Sequence, residues 1–218
     1  MNVLLIKAND RPATESVSSR MYETFLAEVK DNKNLNVRVY DIFNEDMPYM
    51  GQDLFSAFGK SATGGELTEA EQRVLNANNK AREAFTEADV IVIAFPLWNL
   101  TIPARLQTFI DYVFAGGFTF KYDAEGNMVQ LQPNKKVILL NARGGIYSTV
   151  ETQAMEMSVN YLRNVFAGMF GHDIIAEVVI EGHNAQPHMA EEIFAEGMER
   201  VKAAAKLSND RKILAKTL

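Results

Sequence analysis

The chain contains no cysteine, and this absence removes several kinds of chemistry. Without thiols there is no disulfide framework, no thiolate nucleophile and no cysteine-held metal cluster. Histidine is also scarce, and neither an HExxH motif nor a Cys/His cluster is present, so we expect no metal site. We interpret His172, His183 and His188 as structural or solvated residues rather than catalytic ones.

Long apolar runs and an excess of basic charge are absent as well. No stretch of about 18 apolar residues is present, and the run at 3–6 is too short for a signal peptide. We therefore expect no membrane span and a cytoplasmic protein. The net charge of -6 at pH 7 argues against a nucleic-acid partner, because such proteins present an exposed basic face.

What is present is the pattern of a single α/β domain covering residues 1–218. Apolar runs at 3–6, 90–95 and 137–140 predict buried strands, the alternation at 35–39 predicts an edge strand, and 174–180 predicts a fifth strand. Helical periodicity separates these strands. The alternation favours a flavodoxin-like three-layer sandwich, in which a five-stranded parallel sheet of order 2-1-3-4-5 carries helices on both faces.

Other segments lead to more local predictions. Residues 41–67 have no clear period and are rich in turn formers, which indicates an irregular excursion with room for a short helix. Thr68 and Glu71 have the spacing of a capping box, so a helix is expected from there to about 85. The apolar stripe from Met155 to Met169 predicts one helix, and a last helix is expected at 189–206. The tail at 208–218 is expected to be loosely held.

The loop after the first strand is the first of three where a ligand would bind, because ligands of such sheets lie beyond the carboxyl ends of the strands. This loop has neither GxGxxG nor GxxxxGK[ST], so two common nucleotide sites lack support. It offers the hydroxyls of Ser16, Ser18 and Ser19 at a helix start, where free N–H groups favour a phosphate. The alternative is that Ser16 is only an N-cap.

The other two loops suit a planar ring. Residues 95–103 hold two prolines and Trp98, the only tryptophan, while Asn99 offers both a donor and an acceptor. Residues 141–147 contain Gly144 and Gly145, whose backbone can approach a ligand closely. The alternatives are a tryptophan packed within a crossover and an ordinary strand-to-helix turn. Taken together, the three loops favour a phosphorylated planar cofactor, with FMN as the natural candidate.

The same segments match a known family in order and spacing. They are residues 7–9, 16–18, 95–103, 115–122, 142–145 and 180–184. In these segments the chain resembles the bacterial FMN-dependent NADH-azoreductases, also called NADH:quinone oxidoreductases, and looks most like the Bacillus-type members. The resemblance covers nearly the whole chain.

The resemblance implies roles for individual residues. The FMN phosphate would be held by Asn9, Ser16, Val17 and Ser18. The isoalloxazine would be lined by Pro96, Leu97, Trp98, Asn99 and Leu100. Its pyrimidine end would face Ala142, Arg143, Gly144 and Gly145, with Tyr147 nearby. Many members have serine in place of Asn9, so the alternatives here are a weaker phosphate contact and one made by an amide.

The resemblance also implies a homodimer with its active site at the interface. Phe120 and Tyr122 would then help to enclose the substrate pocket. The segment 166–171 is one residue longer than the usual glycine–aromatic pattern of the family. Met169 and Phe170 are therefore alternative candidates for the residue that reaches the pocket.

The implied activity is the transfer of two electrons from NADH to quinones and aromatic azo compounds by a ping-pong mechanism, with azo bonds cleaved to amines. No side chain is required as a catalytic nucleophile, because the flavin carries the hydride chemistry. We find no basic site for a 2′-phosphate, and the resemblance favours NADH. The alternatives are a flavodoxin-like electron carrier and an NADH-dependent FMN or nitro reductase. A receiver-type signalling module lacks its acidic cluster at residues 8–10.

Overall fold

A computed structural model describes residues 1–208 of the chain. The strands are β1 Asn2–Lys7, β2 Asn36–Asp41, β3 Val90–Pro96, β4 Phe120–Tyr122, β5 Met128–Gln130, β6 Lys136–Arg143 and β7 Asp173–Glu181. The α-helices are α1 Val17–Val29, α2 Gln52–Thr63, α3 Glu69–Glu87, α4 Ala104–Val113, α5 Val159–Arg163 and α6 Ala190–Leu207. Of the tail predicted to be loosely held, only Ser208 lies within the described residues.

Five strands form one parallel sheet in the order β2-β1-β3-β6-β7. This order is the predicted 2-1-3-4-5 in the numbering of the sheet strands alone, so the prediction is confirmed. All residues of β3 and β6 are buried, whereas β2 at the edge is partly exposed. A two-stranded antiparallel hairpin of β4 and β5 was not predicted, because strands of three residues leave little periodic signal.

Helices cover both faces of the sheet. Successive side chains of a strand point to opposite faces and pack into two separate cores. Leu4 and Ile6 of β1 face a core formed with α3, α4 and α5, while Val3 and Leu5 face a second core formed with α1 and α6. Each fully buried side chain of this size stabilises the fold by roughly 1.5–3 kcal/mol. The predicted three-layer sandwich is therefore present.

The capping box at the start of α3 is confirmed. The Glu71 N–H donates to Thr68 Oγ1 at 3.2 Å, and the Thr68 N–H donates to Glu71 Oε2 at 2.7 Å. Within the predicted excursion at 41–67, α2 is a regular helix that ends at Gly64, whose φ of 73° is left-handed. Glycine adopts this conformation without the steric cost that other residues incur.

The single helix predicted from Met155 to Met169 is wrong. The segment is divided into a 3₁₀ turn at Gln153–Met155, the helix α5 and a π-helical turn at Asn164–Met169. Glu156 causes the break, because its buried carboxylate accepts hydrogen bonds from the N–H groups of Ser158 and Val159 at 2.9 and 2.8 Å. Those bonds begin a new helix where the apolar stripe predicted a continuous one.

The π-helical turn accommodates the extra residue that was predicted in segment 166–171. The Phe170 N–H donates to Val165 O at 3.0 Å, five residues earlier instead of four. A π-helical turn accommodates one residue more than an α-helical turn, and such turns are frequent at functional sites. The longer segment thus fits into the helix without a loop.

No helix found among residues 1–208 combines the length and the apolar character that a crossing of the bilayer requires.

Candidate functional site

A cleft of about 460 Å³ opens at the carboxyl ends of β1, β3, β6 and β7. It brings together most of the residues predicted to bind a cofactor: Asn9, Ser16, Val17, Ser18, Pro96, Leu97, Trp98, Ala142 and Gly144. Residues of all three predicted loops thus line a single cavity. Its position is the one expected for ligands of open α/β sheets.

One end of the cleft is lined by a cluster of buried polar side chains. Asn9 Nδ2 donates to Ser16 Oγ at 2.8 Å and to Ser18 Oγ at 3.0 Å, while Asn9 Oδ1 accepts from the Arg11 N–H at 3.0 Å. Both hydroxyl oxygens accept from the amide and lie 3.3 Å apart, where one can donate to the other, so at least one hydroxyl hydrogen is available to donate to a ligand. The cluster therefore suits an acceptor-rich group such as phosphate.

The N-terminus of α1 adds to this anion-binding character. Ser16 is the N-cap and accepts from the Ser19 N–H at 3.5 Å, so it has the capping role predicted as an alternative and lines the cleft as well. The remaining N–H groups of the first turn have no acceptor within the helix, and the helix dipole favours a negative charge beside them. Arg11 and Arg20 also line the cleft.

A tight turn after β3 shapes the opposite wall. The Trp98 N–H donates to Thr101 O at 3.0 Å and the Thr101 N–H to Trp98 O at 3.1 Å. The two residues between them, Asn99 and Leu100, have φ of 50° and 70°. Left-handed backbone costs a leucine roughly 1–2 kcal/mol, and strain of this kind is concentrated at functional sites. The Met157 N–H donates to Leu100 O at 3.0 Å and fixes the turn.

Asn99 and Leu100 do not line the cleft itself. Asn99 instead lines a second hollow of about 460 Å³, which shares Trp98 with the first and includes Tyr49 and Ile102. Trp98 therefore lies between the first cleft and a more apolar space. A planar ring that reached over Trp98 would be accessible from this second side.

The glycine pair after β6 lies against the loop after β7. A Cβ on Gly144 would come within 2.3 Å of Asn184 Nδ2, and one on Gly145 within 3.0 Å of Tyr147 Cε2. The Gly144 carbonyl also accepts from the N–H groups of Asn184 and Ala185 at 3.0 and 3.1 Å. Any larger residue at 144 would push the Asn184 side chain away from its present position.

Arg143, Gly145 and Tyr147 were predicted beside the cofactor but do not line the cleft. The Arg143 side chain is buried, with Nε 2.9 Å from Glu181 Oε2 and Nη1 3.8 Å from Glu156 Oε1. The Arg143 side chain thus forms ion pairs within the protein, and a contact between residue 143 and the cofactor stays a prediction. The Tyr147 N–H donates to Glu181 Oε2 at 3.0 Å.

Four residues were predicted to line the substrate pocket, and two of them have accessible surface on the hairpin. Phe120 and Tyr122 are in β4 with ring centroids 6.0 Å apart, and Tyr122 is 63% exposed. Phe170 instead has no exposed surface and packs among Phe85, Phe114 and Phe166.

The prediction that Phe170 is a pocket candidate is therefore corrected, since a ring enclosed by other aromatics presents no surface to a substrate. Met169 is only partly buried at the edge of the same core. It remains the candidate of the pair.

Sequence reasoning missed several residues that line the cleft, namely Arg11, Thr14, Glu15, Arg20, His183, Asn184 and Phe194. His183 and Asn184 belong to the segment 180–184 that supported the family resemblance, and this was the available signal. Arg20 and Phe194 gave none, because α1 and α6 meet only in the folded chain. The Arg20 guanidinium lies 4.9 Å from the centroid of the Phe194 ring.

Fold and cleft together define an α/β protein of the flavodoxin-like class, with a cleft at the carboxyl ends of its strands whose polar end suits a phosphate. A family model described as "Flavodoxin-like fold" matches residues 1–205. The chain is 45% identical over 204 residues to "FMN-dependent NADH:quinone oxidoreductase 1" of Bacillus subtilis (strain 168), which covers 93% of this chain and 97% of the relative. It is 47% identical over 204 residues to "FMN-dependent NADH:quinone oxidoreductase 3" of Bacillus cereus, with the same coverage.

Solved structures agree with these relatives. The structure of an azoreductase from Bacillus anthracis str. Sterne superposes with a TM-score of 0.85 at 45% identity, covering 94% of this chain and 98% of that one. An FMN-dependent NADH-azoreductase from Bacillus anthracis str. Ames Ancestor, solved in complex with FMN, has a TM-score of 0.83 at 26% identity, covering 96% and 99%. The chain therefore belongs to the family of the FMN-dependent NADH:quinone oxidoreductases.

Proposed function

We propose that this protein is an FMN-dependent oxidoreductase that passes two electrons from NADH to quinones and aromatic azo compounds. The observation that carries the proposal is the convergence of a buried hydroxyl–amide cluster, the strained turn at Trp98 and the glycine pair on one cleft. This arrangement matches a ligand with a phosphate at one end and a flat ring at the other. The FMN-dependent relatives support the same assignment.

The residues of the cleft divide the binding of FMN between them. Ser16 and Ser18, oriented by Asn9, would donate to the phosphate together with the N–H groups at the start of α1. The turn at Trp98 would position the ring. Backbone N–H groups near Gly144 would stabilise negative charge at its polar edge. Bound FMN supplies the hydride and electron chemistry, which no side chain of a cysteine-free chain provides.

The second hollow supplies the space for NADH and for the acceptor in turn. Trp98 lies between it and the phosphate-binding cleft, and apolar groups such as Ile102 and the exposed Tyr49 line it. An apolar, aromatic wall favours flat substrates over ones that need a specific polar pocket. Sharing one space requires the oxidised nicotinamide to leave before the acceptor enters, which is the basis of a ping-pong mechanism.

We propose a homodimer that covers this hollow. Tyr49, which lines it, Tyr122 on the hairpin and Met157, bonded to the turn at Leu100, are large apolar side chains with exposed surface. A partner copy seated on this side would bury such side chains, and exposed apolar patches are typical of interaction sites. Sedimentation equilibrium is expected to give twice the chain mass, and a monomer that retains full activity would refute the dimer. The cytoplasmic location stays a prediction.

The test of the function begins with an absorbance spectrum of the purified protein. We expect the bands of bound flavin, their loss when NADH is added without oxygen, and their return when menadione is added. Cleavage of one azo bond to two amines is expected to consume two NADH. A colourless protein that neither binds added FMN nor bleaches an azo dye with NADH would refute the proposal.

Stopped-flow measurements separate this enzyme from the alternative of an electron carrier. A carrier would be reduced slowly by NADH alone and would need a protein partner. We expect fast reduction by NADH without any other protein. A parallel measurement with NADPH tests the predicted preference for NADH.

A further inference from the structure

The Arg143 side chain is tied to both of the loops that the proposed function places beside the flavin ring. Arg143 is the last residue of β6, and its neighbours in the chain, Ala142 and Gly144, line the cleft. The bases of the two loops are joined by the Leu97 N–H, which donates to Ala142 O at 2.8 Å. The Arg143 side chain itself is only 8% exposed, and two carboxylates lie within ion-pair distance of its guanidinium.

The first connection runs through Glu181, the last residue of β7. Its Oε2 atom lies 2.9 Å from Arg143 Nε and accepts from the Tyr147 N–H at 3.0 Å. Its Oε1 atom accepts from the Ser148 hydroxyl. The glycine loop, residues 144–148, therefore begins at the backbone of Arg143 and is held at its far end by the carboxylate that pairs with the Arg143 side chain.

The second connection runs through Glu156. Its Oε1 atom lies 3.8 Å from Arg143 Nη1, and both side chains are buried. The next residue, Met157, donates its N–H to Leu100 O at 3.0 Å. Leu100 has φ of 70° in the strained turn at 98–101, so the residue that fixes this turn follows directly after a partner of Arg143.

The ion triad of Arg143, Glu156 and Glu181 is suited to specifying a geometry. Ion pairs are costly to take out of water, and well-packed apolar side chains often stabilise a fold equally well. Buried charges instead favour one arrangement, because a displaced guanidinium would leave carboxylates without a counter-charge. One guanidinium shared by two carboxylates thus restricts the distance between the segments that carry them.

We propose that Arg143 is a positioning residue for the proposed reaction. Together with Glu156 and Glu181 it sets the spacing between the glycine loop and the turn at 98–101, and so holds the flavin ring where NADH can deliver its hydride. The proposal rests on the proposed function. It implies that loss of the Arg143 charge affects the ring end of the site and leaves the phosphate end unchanged.

The first test uses flavin-free protein and does not depend on activity. Arg143→Met removes the charge, and Arg143→Lys keeps a charge without the planar fork of a guanidinium. The control is Arg38→Met, because Arg38 also pairs with two carboxylates and lies outside the cleft, on β2. Relative to the amides of β3, hydrogen exchange at Tyr147 and Met157 is expected to be about tenfold faster in Arg143→Met. It is expected to be intermediate in Arg143→Lys and unchanged in Arg38→Met.

The second test follows the ring in protein saturated with FMN. Stopped-flow reduction at saturating NADH is expected to be about tenfold slower in Arg143→Met, because small misplacements of reacting groups cost rates of this order. The dissociation constant of NADH is expected to change less than about threefold, since no group that contacts it is removed. FMN and riboflavin affinities are expected to fall by equal factors, because the polar cluster at Asn9 is untouched. Arg143→Lys is expected to recover part of the rate, and Arg38→Met to match the wild type.

Several results would overturn the proposal. One is wild-type hydrogen exchange at Tyr147 and Met157 in Arg143→Met, and another is a reduction rate within about twofold of the wild type. A larger loss of affinity for FMN than for riboflavin would also overturn it, because the effect would then lie at the phosphate. If circular dichroism shows that Arg143→Met does not fold, Glu181→Gln removes a charge of the triad at nearly constant shape and decides by the same measurements. A wild type that NADH does not reduce would refute the proposed function instead.

Discussion

Lowering the pH is expected to destabilise the fold through His172, which lies away from the cleft in the core. The ring is 4% exposed and packs against Phe85, Phe166 and Phe170, with centroids 5.6–5.8 Å apart. Nε2 is 2.9 Å from the carbonyl of Gln132, and Nδ1 has no partner among residues 1–208. Burial is the main cause that lowers the pKa of His172 to about 4.

The size of the effect follows from the difference between the folded and unfolded pKa values. The unfolded chain binds a proton on this histidine below about pH 6.5, whereas the folded chain does so only below about pH 4. Stability is therefore fully present above about pH 6.5 and is lost as the pH falls toward 4. The loss is about 3 kcal/mol, a substantial fraction of the 5–15 kcal/mol by which a domain of this kind is stable.

The variant His172→Phe tests this reasoning, because phenylalanine fits an aromatic cluster and does not titrate. Urea unfolding followed by circular dichroism gives the free energy of unfolding at several pH values between 7.5 and 4.5. A fixed excess of FMN is present throughout, so any pH dependence of cofactor binding is common to both proteins. His188→Gln serves as the control for an exposed histidine.

We expect the difference between wild type and His172→Phe to change by about 2–3 kcal/mol over this range, in favour of the variant at low pH. The wild type and His188→Gln are expected to have parallel profiles. Parallel profiles for the wild type and His172→Phe would refute the argument. In that case the imidazole would be solvated or paired in a way that the buried position does not indicate.

Three further substitutions test other parts of the structure. Gly182→Ala is expected to lower the free energy of unfolding by about 1–2 kcal/mol, because φ is 82° there and the new Cβ lies 3.1 Å from Ile146. The control is Gly59→Ala on α2, where the new Cβ meets no atom and the fold should not be destabilised. Asn9→Ala is expected to weaken FMN binding about tenfold by releasing the two serine hydroxyls, as measured by fluorescence quenching. Glu156→Ala is expected to cost about 2–4 kcal/mol in urea unfolding, since it removes the acceptor that begins α5 and a partner of a buried arginine.

Each of these three has an outcome that contradicts it. Equal stability of Gly182→Ala and Gly59→Ala would mean that the turn after β7 relaxes without cost. Unchanged FMN affinity in Asn9→Ala would mean that the hydroxyls are oriented without the amide. For Glu156→Ala, a loss under 1 kcal/mol would place the start of α5 under the control of packing instead of the carboxylate.

The sheet could be predicted from the sequence because its strands carry distinct apolar patterns. Val90 to Phe95 is apolar throughout and became a central strand, while the alternation around Val37 became the edge. The capping box at Thr68 could also be predicted, because a helix start of this kind depends only on residues three apart in the sequence. Local rules were sufficient wherever the determining contacts are local.

The wrong predictions concern residues whose surroundings come from distant parts of the chain. Glu156 is charged, and nothing in the local pattern indicates that it would be buried and end an apolar stripe. Its pKa is lowered even though burial acts to raise it, because hydrogen bonds from Ser158 and the following N–H groups outweigh burial. Phe170 was assigned to a pocket and lies in the core, since its surroundings come from helices far away in the chain.

The site was predicted only where its residues share a loop. Ser16 and Ser18 stand together at a helix start, and Gly144 follows a strand, so both loops drew attention. The wall formed by Arg20, His183 and Phe194 depends on α1 and α6 packing side by side. Such a wall requires the tertiary structure.

The place of β1 in the middle of the sheet has a consequence for how the chain folds during synthesis. β1 pairs on one side with β2 and on the other with β3, where Val3 is opposite Val90. At about 5–20 residues per second, β3 leaves the ribosome several seconds after β1. Through this interval one edge of an apolar strand lacks its partner, so we expect early folding intermediates to be prone to aggregation and to depend on chaperones more than the finished protein does.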